Sequence, residues 1–146
     1  MARPVLKRLA SLVLVLLPAL AGAGEPSVPP TKLPEPKKLS IQQVSALLDG
    51  RRGVHVFDNN GPERYTAGHL PGAIWLRYDS VEIGNLPPDK EATLVFYCAN
   101  ERCSACHVAA RSALGFGYRN VFIMPAGIMG WEKAGKPVEK GGRSPS

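Results

Sequence analysis

The chain has 146 residues, with 18 Lys and Arg against 12 Asp and Glu, for a formal net charge of +6. Three of the basic residues, Arg3, Lys7 and Arg8, fall in the first segment, so the rest carries only +3, with both signs dispersed. No Lys/Arg cluster is interleaved with aromatic residues, which excludes a nucleic-acid surface, and the length suits one compact domain.

Behind that basic start, residues 9–20 are mostly apolar, and small residues follow in Ala19-Leu20-Ala21 and Ala21-Gly22-Ala23. A positive start, an apolar stretch too short to span a bilayer and A-x-A cleavage sites together read as a secretory signal over residues 1–23. The expected location is periplasmic, with no membrane contact once the signal is removed; an uncleaved anchor is the alternative. Residues 24–38 contain Pro26, Pro29, Pro30, Pro34 and Pro36 without apolar periodicity, and read as an extended tether. Residues 39–140 form the domain, and residues 141–146 a tail.

Within the domain, Ser40 caps a helix whose apolar positions Ile41, Val44, Ala46, Leu47 and Leu48 recur at helical spacing, with Gly50 at its end. Residues 54–57 read as a short strand, closed by the turn cluster Asp58-Asn59-Asn60-Gly61-Pro62. One helical turn over residues 63–67 leads to Gly68-His69-Leu70-Pro71-Gly72 and a second strand over 73–76. The apolar run Thr93-Leu94-Val95-Phe96-Tyr97 is a third strand, ending at Cys98. A polar loop and a helix over residues 104–114 follow. Then come a strand over 120–124, the turn Pro125-Ala126-Gly127 and a last helix over 128–133. Short apolar strands alternating with helices predict an α/β fold with a parallel sheet covered on both faces. Ligands of such sheets bind beyond the carboxyl ends of the strands, where Cys98 lies.

A cysteine between a strand and a helix start is the sequence's strongest chemical signal. The loop Ala99, Asn100, Glu101, Arg102, Cys103 and Ser104 is expected to ring Cys98 with backbone N–H groups, and the helix dipole adds positive potential. Both favour the thiolate, the nucleophilic form of sulfur. The chain holds three cysteines, so at most one intramolecular disulfide forms. Cys98, Cys103 and Cys106 lie so close together that local redox chemistry is one reading. Cys103 with Cys106, or Cys98 with Cys103, would be the pair, gating or resolving the nucleophile. The other reading has Cys103 shaping the loop and Cys106 packed inside. Cys103-Ser104-Ala105-Cys106-His107 also matches the C-x-x-C-H of c-type haem attachment, though haem needs an open face. A zinc site is disfavoured because adjacent Cys106 and His107 point about 100° apart on a helix. No metal or other cofactor is expected.

Three ordered motifs resemble those of the rhodanese-like domain. The first runs from Asp58 through Glu63-Arg64-Tyr65-Thr66-Ala67-Gly68-His69-Leu70-Pro71-Gly72-Ala73. The second is Tyr97-Cys98 with its loop and helix. The third is Gly117-Tyr118-Arg119-Asn120-Val121 followed by Pro125-Ala126-Gly127-Ile128-Met129-Gly130-Trp131. The resemblance covers nearly all of the domain and implies a five-stranded parallel sheet wrapped by helices. It also implies that Cys98 takes sulfane sulfur as a persulfide, from thiosulfate or another persulfide, and passes it to cyanide or a thiol. The partners expected are a small anionic sulfur donor or a thiol acceptor, with a periplasmic protein as a further candidate. In the family His69 is mainly structural, anchoring its loop through hydrogen bonds.

Two positions depart from the family pattern. Cys103 stands where the loop usually ends in Arg, and Asn60 where an Arg usually follows the first strand; Arg102 is the candidate substitute over the loop. Cysteine-based phosphatases need Arg six positions after the nucleophile, and this chain has Ser104 there, so the phosphoryl clamp is missing. Trp131 reads as a core plug, and Asp58 as an acceptor for turn amides. The function expected is a sulfurtransferase or persulfide carrier. The alternatives are a non-catalytic binding or thiol redox-sensing module on the same fold and, after it, a haem electron carrier.

Overall fold

The computed structural model describes residues 34–50 and 52–142; the signal, most of the tether and the end of the tail lie outside the described residues. Five strands form one parallel sheet in the order β1-β5-β4-β2-β3. They are β1 (Lys37–Lys38), β2 (Val54–Asp58), β3 (Ile74–Trp75), β4 (Thr93–Tyr97) and β5 (Asn120–Ile123). Among the described residues four α-helices accompany them: α1 (Ile41–Gly50), α2 (Pro62–Ala67) and α3 (Ala105–Gly115) between strands, and α4 (Gly127–Lys133) after β5. No helix among the described residues is long and apolar enough to cross a membrane.

The start of α1 shows why the chain turns helical there. Ser40 Oγ accepts the Gln43 N–H at 3.2 Å, while Gln43 Oε1 accepts the Ser40 N–H at 2.8 Å. This reciprocal box satisfies donors that a helix otherwise leaves open. Two apolar layers then sandwich β4. The pleat sends Leu94, Phe96 and Cys98 to one face, where they pack with Cys106, Ala109, Ala110 and Ala113 of α3. Val95 and Tyr97 face the other way, onto Val44 of α1 and Ile128 and Trp131 of α4. Three buried alanines let α3 lie close on the sheet, and Trp131 is the plug expected of it, its indole N–H bonded to the Pro137 carbonyl at 2.8 Å.

The stretch read as tether ends inside the sheet. Lys37 and Lys38 pair with Phe122 and Ile123 as the edge strand β1, and Leu39 N–H continues the pairing to the Ile123 carbonyl at 2.9 Å. Two exposed lysines carry no apolar pattern, so only the unpaired edge of β5 reveals the strand; charge on an edge also discourages pairing between molecules.

Candidate functional site

The carboxyl ends of β2, β4 and β5 meet at one edge of the sheet, and the loop after β4 is held there by α4. Ile128 N–H donates to the Cys98 carbonyl at 2.9 Å, and Met129 N–H to the Ala99 carbonyl at 3.0 Å. The approach is so tight that a Cβ on Gly127 would lie 2.5 Å from Cys98 O and from Ala99 C and O. Gly127 also has φ +61, a conformation that L side chains rarely adopt. Sequence reasoning marked Gly127 as a turn; the reason for glycine is this contact across the sheet edge.

Within the loop, Asn100 Oδ1 accepts the Arg102 N–H at 3.0 Å and its carbonyl accepts the Cys103 N–H at 3.0 Å, a local side-chain turn. Above it opens a cavity of about 530 Å³, lined by Asn100, Glu101, Arg102, Met129 and Lys133 among others. Arg102 is exposed at this mouth. Lys133, which the sequence reading did not single out, places a second cation beside it from the end of α4.

Cys98 differs from expectation. It is 1% exposed, and its Sγ lies 3.3 Å from the Cys103 carbonyl oxygen and 3.5 Å from Cys106 Sγ. The expected ring of amides is absent around it; the Cys103 thiol and then the Cys106 amide support its negative form, against larger opposing effects. The β4 pleat is the cause, because Cys98 continues the row of Leu94 and Phe96 and so points beneath α3. Donating its proton to Cys106, together with burial, pushes the Cys98 thiol far above its ordinary pKa.

The amides go elsewhere. Cys106 is the second residue of α3, and the Cys98 proton, then the helix-start amides of Cys106 and His107, lower its pKa against the effect of burial. Cys103 is half-buried and receives the Ala99 and Ala105 amides, yet burial and its bond with Cys98 keep its thiol raised. All three thiols are free. The structure thus brings Cys98, Cys103 and Cys106 into one cluster, with Cys106 as its most acidic member. Of the expected loop, Arg102 reaches the cavity, and Ser104 is exposed and caps α3 without a side-chain bond. Cys106 is 1% exposed against the sheet, so Cys103 and Cys106 present no common open face to a haem.

Three further residues take structural roles. Asp58 accepts the Asn60 N–H at 2.7 Å, as expected of a turn acceptor, and also the Tyr97 hydroxyl. Asn60 turns its amide back onto Asp58 at 2.8 Å and does not replace the family's Arg at the loop. His69 is buried, stacked on Tyr65 with centroids 3.9 Å apart and bonded through Nδ1 to the Tyr65 carbonyl at 2.9 Å. Its backbone exchanges two 2.9 Å bonds with Glu139, closing the C-terminal segment over the Gly68–Gly72 turn.

The family model described as the Rhodanese-like domain matches residues 40–134. The chain belongs to the rhodanese-like family. It is 34% identical over 97 residues to the thiosulfate sulfurtransferase GlpE of Pseudomonas entomophila (strain L48), covering 65% of this chain and 84% of that protein. It is also 31% identical over 104 residues to the dual specificity phosphatase Cdc25 of Arabidopsis thaliana, covering 62% and 70%. Among solved structures, the BH2092 protein from Bacillus halodurans superposes with a TM-score of 0.65 at 25% identity, over 71% of this chain and 77% of that one. The rhodanese-like fold is therefore the one expected, with its five-stranded parallel sheet, and it is shared by relatives that carry different enzyme names.

Proposed function

We propose that this protein moves sulfane sulfur, carrying it on Cys98 as a persulfide between a small anionic donor and a thiol acceptor. The observation that supports this most is the position of Cys98. It ends the central strand, beneath a loop whose open side is a cavity carrying Arg102 and Lys133. Two cations against the one Glu101 carboxylate leave this mouth net positive, which attracts a divalent anion such as thiosulfate.

The chemistry begins with Cys106 as the thiolate, its sulfur 3.5 Å from Cys98 Sγ; because Cys106 is the more acidic of the two, it takes the Cys98 proton only as Cys98 attacks, the new S–S bond drawing the transfer forward. Cys98 Sγ attacks the outer sulfur of thiosulfate, the donor S–S bond breaks, and sulfite leaves with the electron pair. An acceptor thiolate then attacks the outer sulfur of the Cys98 persulfide, leaving with that sulfur and restoring the Cys98 thiolate. Phosphoryl transfer has no matching clamp, since Ser104 occupies the position six after Cys98. On the sequence reading of residues 1–23 the reaction takes place in the periplasm.

Steady-state assays with thiosulfate and with glutathione persulfide, in the wild type and Cys98→Ser, test this reading. Sulfur transfer should vanish in the serine variant, and mass spectrometry should find one added sulfur on the wild-type Cys98 peptide. Turnover that survives the substitution would show that another group carries the sulfur.

A further inference from the structure

The mechanism above leaves the cysteine cluster with a consequence of its own. Cys98 and Cys106 are both 1% exposed, and their sulfurs are 3.5 Å apart, close to van der Waals contact. Cys106 is fixed at the second position of an eleven-residue helix whose Ala109, Ala110 and Ala113 are fully buried. The sulfur is therefore anchored by a packed element. Forming an S–S bond of about 2.05 Å requires the two side chains to close by roughly 1.5 Å. With Cys98 1% exposed, no external thiol stands as near to its sulfur as Cys106 does.

We propose that Cys106 resolves the Cys98 persulfide internally, releasing the sulfur as hydrosulfide and leaving a Cys98–Cys106 disulfide. The inference rests on the persulfide reading of Cys98 and adds a second fate for the sulfur. Cys106 Sγ attacks Cys98 Sγ, the inner sulfur, because that atom is the one it faces. The bond between Cys98 Sγ and the outer sulfur breaks, and its electron pair leaves with the outer sulfur. The proton on Cys106 goes to that departing sulfur. The sum is Cys98–S–S⁻ plus Cys106–SH giving the disulfide plus HS⁻, with no outside oxidant or reductant. A further cycle needs a thiol or dithiol reductant to reopen the disulfide.

Three consequences separate this from simple carriage. First, thiosulfate alone, without an acceptor thiol, yields at most one hydrosulfide per chain. Second, the product is oxidised although no oxidant was added. Third, a dithiol reductant supports repeated hydrosulfide release from thiosulfate, so the chain acts as a sulfane-sulfur reductase for a dithiol donor.

The test loads fully reduced, full-length protein with thiosulfate anaerobically, removes the donor, and follows hydrosulfide and intact mass with time. The wild type should release one hydrosulfide per chain and lose two hydrogens, with the new disulfide mapped between the Cys98 and Cys106 peptides. Loaded alongside the wild type at alkaline pH, where hydroxide replaces Cys106 as the base, Cys106→Ala and Cys106→Ser should each keep the added sulfur, with release slowed at least tenfold relative to the wild type at the same pH, while Cys103→Ser should behave as the wild type. A wild type that keeps its added sulfur and releases no hydrosulfide overturns the inference and leaves the persulfide reading intact. A disulfide mapped to Cys103 overturns it equally. If neither the wild type nor either Cys106 variant gains sulfur at Cys98, and no disulfide or hydrosulfide appears, the persulfide reading fails and the inference with it. Circular dichroism of each variant confirms that the sheet and α3 are formed.

Discussion

The Tyr97 hydroxyl joins the carboxyl ends of the two central strands, donating to the Asp58 carboxylate at 2.5 Å while accepting the Leu70 N–H at 3.0 Å. All three residues are buried, and Tyr97 immediately precedes Cys98. The residue before the nucleophile is thus pinned to β2 and to the Gly68–Gly72 turn. On the other side α4 pins the carbonyls of Cys98 and Ala99.

Tyr97→Phe should destabilise the fold by about 1–3 kcal/mol, because it leaves the Leu70 N–H and one Asp58 oxygen buried without a partner. Urea unfolding measures it. The pH dependence has a definite sign. Burial already raises the Asp58 pKa, so its ionised form is a penalty on the folded state at neutral pH. That penalty is relieved as pH falls through the folded pKa, and it is larger without the Tyr97 donor. The stability gap between variant and wild type should therefore narrow as pH drops from neutral into the carboxylate range. A gap that widens on acidification would show that the hydroxyl does not support the charged carboxylate.

Gly127→Ala should reduce stability by more than about 1 kcal/mol, since φ +61 is strained for alanine. It should also displace the Cys98–Ala99 backbone, whose atoms stand where the new Cβ would go. Sulfur loading of Cys98 should consequently fall even at temperatures where the variant remains folded. Loading equal to that of the wild type would mean that the loop tolerates the shift.

Alkylation should rank the thiols by access and ionisation. Cys103, half-buried, should label first with iodoacetamide at neutral pH, well ahead of Cys98. Because its thiol is pushed up, Cys98 should stay unlabelled until strongly alkaline pH, and its labelling should rise with pH without a plateau near neutrality. Peptide mass spectrometry after a short pulse gives the order. Rapid labelling of Cys98 at neutral pH would show that its thiol is ionised without help from Cys106.

The cavity mouth makes an electrostatic prediction. Replacing Arg102 and Lys133 together by alanine should lower kcat/KM for thiosulfate by about tenfold, with little change in unfolding. Both side chains line the open cavity, so the wild-type advantage should shrink as salt rises towards 1 M. A salt-independent difference, or none, would place the approach of the donor elsewhere.

Much was legible in the chain alone. Its strands are short and apolar because they are covered on both faces, its helix ends carry Ser40, Gly50 and Gly117, and three motifs stand in order. Those local signals were enough for the parallel sheet, the family and the place of Cys98 at a strand end. The Lys37–Lys38 strand was not legible, since exposed lysines have no hydrophobic pattern and the strand exists only because β5 offers an open edge. Lys133 at the cavity mouth was hidden for a similar reason, as it reaches the loop only when α4 folds back across the sheet edge. The sequence also could not say which cysteine receives the amides. A local loop and helix start promised them to Cys98, but the pleat of β4 turns that side chain under α3. There Cys106 holds the acidic position and Cys103 faces the loop amides. Spacing along the chain determined which sulfurs are neighbours; the packing of α3 on the sheet decided which of them is the more acidic, because only burial and the direction of each Cβ set what a thiol meets.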